Sequence, residues 1–121
     1  CRLYVAMAPT HPMMVKDDFK RHLEKLLMVD PEVIFWEPIN ARGTNGKRML
    51  AAGLSFANLV TEKDAWANCF VKQWEILETV ASDLGCLDRI HIWPDRDLKG
   101  YVDMSILESW WSRPTVEQWI N

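Results

Sequence analysis

The order of hydrophobic patterns predicts an α/β chain. It is either a partial (half) parallel β/α barrel or a small three-stranded parallel sheet with flanking helices. Three observations carry this. Short runs rich in β-branched and aromatic residues alternate with amphipathic helical stretches, an order that favours parallel strands joined by helical crossovers. The run EVIFWEPI, 32–39, is nearly continuously apolar, as a parallel strand covered on both faces is. Polar and charged residues gather after each of three predicted strands, the edge at which parallel α/β folds bind ligands.

The elements follow in order. RLYVAM, 2–7, reads as the first strand and is stopped by the prolines of APTHPM. KDDFKRHLEKLLMVD reads as a helix, with Phe19, Leu23, Leu26 and Leu27 on one face. Asp17 or Asp18 caps its start, and Asp30-Pro31 ends it. The second strand follows, then a glycine-rich loop and a weaker helical stretch, MLAAGLSFANLV. The longest helix covers 61–85: Trp66, Cys69, Phe70, Trp74, Leu77, Val80, Ala81 and Leu84 form its stripe. Thr61 and Asp64 resemble a capping box, and Gly85 supplies a left-handed stop. RIHIW, 89–93, is the third strand, and DMSILESWW and TVEQWI read as short terminal helices.

Composition bounds the function. A chain of 121 residues, 49% hydrophobic, suits one folded domain spanning 1–121. A net charge of −3 without long charge blocks argues against capture of nucleic acid by the whole surface, leaving only a local basic loop to touch phosphate. No apolar run approaches the roughly 20 residues that cross a bilayer, and no signal peptide is evident, so a cytoplasmic protein with no membrane partner is expected. Cys1, Cys69 and Cys86 are too widely spaced for a disulfide framework or a metal motif, and Cys69 reads as a buried, inert thiol. There are seven tryptophans, and Trp110, Trp111 and Trp119 crowd the end of the chain, where they either cover a core edge or face a partner.

The candidate site lies at the strand ends. Glu37 directly follows a buried run, where a carboxylate is costly unless it is paired or ligand-bound. Arg42 can pair with it and pin the loop; alternatively Glu37, Asn40 and Arg42 bind a ligand. His11, between Pro9 and Pro12, joins them as a binding candidate able to act as acid, base or metal ligand, although an exposed loop histidine is the simpler reading. His91 alternates with Ile90 and Ile92 and reads as a packed strand residue. RGTNGKR lacks phosphate-loop spacing, yet Lys47 and Arg48 can contact phosphate. Asp95, Arg96 and Asp97 read as a solvated turn.

The string RLYVAMAPTHPM … VDPEVIFWEPINARGTNGKRM … DRIHIWPD resembles the C-terminal half of radical S-adenosylmethionine proteins, and most of all the DNA repair photolyase group related to spore photoproduct lyase. The matching residues are Ala8, Pro9 and Pro12, then Glu37, Pro38, Asn40 and Arg42, then Pro94 and Asp95. The resemblance implies a fragment of a larger TIM-like barrel, to which S-adenosylmethionine and an iron-sulfur (4Fe-4S) cluster belong in the full-length context. It implies cofactor or substrate binding by Glu37, Asn40 and Arg42, and a nucleic acid substrate held by Lys47 and Arg48. The CxxxCxxC cluster loop is absent, so this chain alone is expected to bind neither cofactor nor to act as a lyase. An N-terminal barrel half, or a second copy, is the expected neighbour of the open sheet edge. The competing reading is a small non-catalytic interaction module, inhibitor- or adaptor-like, that docks through its tryptophan-rich C-terminal surface.

Overall fold

Val33, Ile34 and Trp36 are fully excluded from solvent, which places their strand at the centre of the sheet. The computed structural model describes residues 2–92 and 95–111, Trp111 by its backbone only. Its elements are β1 (Tyr4–Thr10), α1 (Lys16–Leu27), β2 (Val33–Pro38), α2 (Asn45–Ala51), α3 (Ala57–Thr61), α4 (Lys63–Asp83), β3 (Ile90–Ile92) and α5 (Met104–Trp111), with 3-10 turns at Leu87–Arg89 and Arg96–Leu98. The sheet order is β1-β2-β3 and both pairings are parallel.

Register and alternation decide which residues meet. Val5, Ile34 and Ile90 stand abreast, as do Met7, Trp36 and Ile92. Successive strand residues point to opposite faces, so these six share one face. They share one core with Phe19 and Leu23 of α1 and with Phe70, Trp74 and Leu77 of α4. Ala6, Phe35 and His91 are abreast on the opposite face. His91 is buried there and its ring lies 6.1 Å from that of Phe35, in keeping with the packed role expected of it.

Of the two expected architectures, the small three-stranded sheet with flanking helices is the one found. β1 and β3 form its two edges and do not pair with each other, so the sheet is not closed into a barrel. That corrects the expectation of a TIM-like barrel. No described helix is long and apolar enough to cross a membrane.

Local chemistry accounts for several boundaries. Asp18 does cap α1, but from inside the helix: its Oδ2 accepts the Val15 N–H at 3.0 Å. Its position in the first turn also suits the helix dipole. The chain leaves α1 through Asp30 at φ 49 and Pro31, which cannot continue the helix. Gly85 takes φ 73 after α4, as a left-handed stop requires. The Thr61–Asp64 capping box does not form, because Thr61 ends α3 and Glu62 takes the cap position of α4. The glycine-rich stretch becomes two short helices instead of one. Gly53 separates them at φ 67, and Gly46 lets α2 approach its neighbours: a Cβ there would lie 3.2 Å from Thr61 Cγ2 and 3.3 Å from the Ala41 Cβ.

Aromatic rings build the centre of the core. Trp36 stacks on Trp74 with centroids 5.9 Å apart and meets Phe70 edge-on at 5.2 Å. Trp110 of α5 stacks on Phe70 at 5.4 Å and meets Trp74 at 6.3 Å. Trp110 is 4% exposed. It is a core residue, which corrects its assignment to a partner-binding surface. The Trp111 side chain, Trp119 and the TVEQWI segment lie outside the described residues. Replacing Trp110 by Ala should cost about 3–5 kcal/mol, the range for a large aromatic removed from a packed core. Urea unfolding followed by circular dichroism would measure it.

Candidate functional site

The end of β2 carries Glu37 half-buried, its side chain 20% exposed, just before the strand gives way to loop. Burial without partners would penalise its charge. Two neighbours meet that need, and each is tied to the other. The Asn40 amide donates to Glu37 Oε1 at 2.9 Å. Arg42 places Nη1 3.5 Å from the same oxygen. The Arg42 backbone N–H donates to Asn40 Oδ1 at 3.0 Å, which fixes the loop that carries the guanidinium.

Arg42 also reaches the end of β3. Its Nη2 lies 2.8 Å from Asp95 Oδ2, and the Asp95 side chain is 1% exposed. The other Asp95 oxygen accepts the Asp97 N–H at 3.0 Å and so holds the 3-10 turn that follows. One half-exposed guanidinium therefore joins two carboxylates from adjacent strand ends. The expected solvated turn at Asp95–Asp97 is corrected at Asp95, which is the most buried ionisable group of the cluster. The missed signal was D-R-D: an Asp two residues before a turn N–H accepts from that N–H and can turn inward.

The electrostatics follow from these contacts. Burial pushes the Glu37 carboxyl above the ordinary carboxylate range, Asp95 adds to the rise, and Arg42 and Asn40 oppose it. Asn40 and Arg42 hold Glu37, and Arg42 and the Asp97 N–H hold Asp95. As it stands, Glu37–Asn40–Arg42–Asp95 is a clamp that ties two loops together. Among the described residues, these hydrogen bonds and ion pairs include neither a nucleophile nor a histidine.

The remaining candidates are dispersed. His11 ends the β1 side: its Nδ1 accepts the Met13 N–H at 3.1 Å, and its ring meets Phe56 edge-on at 4.4 Å. It lines a groove beside β1 and α1. Arg48 lines a separate cavity of about 450 Å³ with Asn40, Asn45 and Met49. Lys47 is exposed on α2 and makes no ion pair among the described residues. Arg48 therefore shares a cavity with Asn40 of the clamp, and Lys47 is not among the residues that line it.

The chain matches no protein-family model, no curated protein and no solved structure. Nothing in these comparisons ties it to radical S-adenosylmethionine proteins. Among the described residues no group of three or more His, Cys, Asp or Glu side chains could hold a metal ion. Cys69 is half-buried on α4 with its Sγ donating to the Pro12 carbonyl at 3.2 Å, and Cys86 is buried. Burial pushes both thiols up, away from the thiolate that binds iron. The donor set does not fit an iron-sulfur cluster, which corrects the expectation of that cluster and of the S-adenosylmethionine it would bind; the lyase reading gains no support from these comparisons.

Two measurements check the clamp. Arg42→Ala leaves Asp95 buried beside no cation and should cost about 3 kcal/mol. In an Asp95→Asn background the same change should cost less than about 1 kcal/mol, since the buried charge is gone. The second measurement uses pH. A carboxyl with a raised folded pKa keeps its proton longer in the folded state, so its contribution to stability falls as pH climbs from the unfolded value of about 4.3 through the folded one. Glu37→Gln should therefore lessen the fall in Tm between about pH 4 and pH 7.

Proposed function

We propose that this chain is a protein-interaction module, not catalytic by itself, that docks through the open edge of its sheet. The observation that carries this is β1. It pairs with β2 on one side and has no strand on the other among the described residues. An unpaired edge is a template for an added strand, with main-chain hydrogen bonds giving affinity and flanking pockets giving specificity.

The edge comes with such a pocket. A groove of about 680 Å³ runs beside it, floored by Met7, Met14 and Leu26 and bordered by Met13. Met13 is 60% exposed, and flexible methionines suit adaptable protein contacts. The clamp at the strand ends is in keeping with this reading, since its ion pairs give Glu37, Arg42 and Asp95 a structural use. The docking surface is thus the β1 edge, and Trp110 serves the core.

The test is a single exposed substitution. Ala6 lies on β1 with its side chain exposed, and a lysine on an edge strand blocks strand addition. The tagged chain is captured from its source cells together with a second, differently tagged copy. Ala6→Lys should cut recovery of every specific partner, self included, by roughly tenfold or more, with unchanged circular dichroism. Equal recovery by both proteins would sink the proposal.

A further inference from the structure

We infer that the occupant of the β1 edge is a second copy of this chain, paired antiparallel about a two-fold axis at Ala6. This rests on the interaction reading above and commits it to one partner. An isologous interface must be complementary to itself, and three features around this edge are.

The first is charge. Asp18, His22 and Lys25 line the groove beside β1. Their spacing of four and three residues puts them on one stripe of α1. The stripe is acidic at one end and basic at the other. An antiparallel copy sets Asp18 opposite the second copy's Lys25, twice over, with His22 near the axis. Lys25 has no ion pair among the described residues, so its charge is available to a partner. Asp18 keeps its contacts to Arg21 at 2.7 Å and to the Val15 N–H at 3.0 Å, and a second copy's Lys25 would join them on the same carboxylate.

The second is the strand itself. A two-fold at Ala6 pairs Val5 with the second copy's Met7 on the core face and sets two alanines opposite each other on the other face. The pairing stops short of Pro9, which has no N–H to offer, and of the register shift between Met7 and Thr10.

The third is the placing of exposed apolar side chains. Leu3 and Val29 are 39% and 56% exposed near the start of β1, where the Glu32 N–H donates to the Leu3 carbonyl at 2.8 Å. Met13 and Val15 are 60% and 58% exposed beyond its other end. Antiparallel pairing brings one end of the first copy against the opposite end of the second, so both apolar groups are covered at once.

Sedimentation equilibrium of the full chain between about 1 and 100 μM tests this. The expected result is a dimer that Ala6→Lys converts to monomer. Lys25→Glu and Asp18→Lys should each weaken it roughly tenfold, and the two together should restore it to within about threefold, because the swapped charges again face each other. Circular dichroism confirms that each variant is folded. A monomeric parent at the highest concentration overturns the dimer, as does a dimer indifferent to Ala6→Lys. If the parent is monomeric and yet captures another protein in an Ala6-dependent way, the dimer fails and the interaction reading stands. If capture does not depend on Ala6 either, both fail.

Discussion

Trp36 sets the main constraint on this fold. Its indole is wholly buried at the middle of the central strand, and it carries one N–H that water can no longer reach. An unmet donor there would cost more than the ring gains from one good contact. The donor is met by Thr10 Oγ1 at 3.0 Å, which requires the end of β1 to lie alongside β2 at a set height. Thr10 is therefore buried although polar, and its carbonyl accepts the Ile39 N–H at 3.0 Å, so the chain leaves β2 at the same level. The ring faces of Trp36 then select what covers the sheet: Phe70 and Trp74 from α4, backed by Trp110. Trp66, one turn earlier on α4, donates to the Ile39 carbonyl at 3.3 Å and fixes the helix against the same strand end. Gln73 anchors the other flank through the Met14 carbonyl at 3.1 Å.

Much of this was legible because it rests on local pattern. The apolar run around Ile34 and Trp36 could only be a buried strand, and the stripe from Trp66 to Leu84 could only be a helix. Boundaries were less readable. β1 continues through Pro9 to Thr10, past the point where prolines suggested an end, because Thr10 is needed by an indole twenty-six residues away. That demand is tertiary and leaves no trace in the local sequence. The packing of α2 on the end of α3 is likewise a contact between segments, with Gly46 close to Thr61.

The strand-end cluster was half legible for the same reason. Glu37, Asn40 and Arg42 are close in sequence, and their mutual bonding was anticipated as a pinned loop. Asp95 belongs to the cluster only because β3 lies beside β2 in the sheet; the D-R-D pattern signals the turn it holds, and the neighbouring strand end supplies the guanidinium that its burial requires. The tryptophans mislead in the opposite direction. Trp110 and Trp111 look alike in sequence, and only packing against Phe70 shows that Trp110 faces inward. Residue type suggested a surface, and geometry assigned a core. A short motif likeness can arise from the same source, since buried strands that end in Glu-Pro and polar loops answer a general demand of parallel sheets.

The aromatic stack has an optical consequence. Trp36, Trp74 and Trp110 are linked by centroid separations of 5.9 and 6.3 Å. Indole transition dipoles that close exchange excitation and mix their absorption bands. Light absorbed by any of the three rings is shared among them, and the chirality of their arrangement is written into the near-ultraviolet spectrum. That signal depends on fixed ring geometry, whereas the far-ultraviolet signal is dominated by backbone secondary structure. The protein thus carries an intrinsic gauge of its own side-chain order, readable without label or ligand.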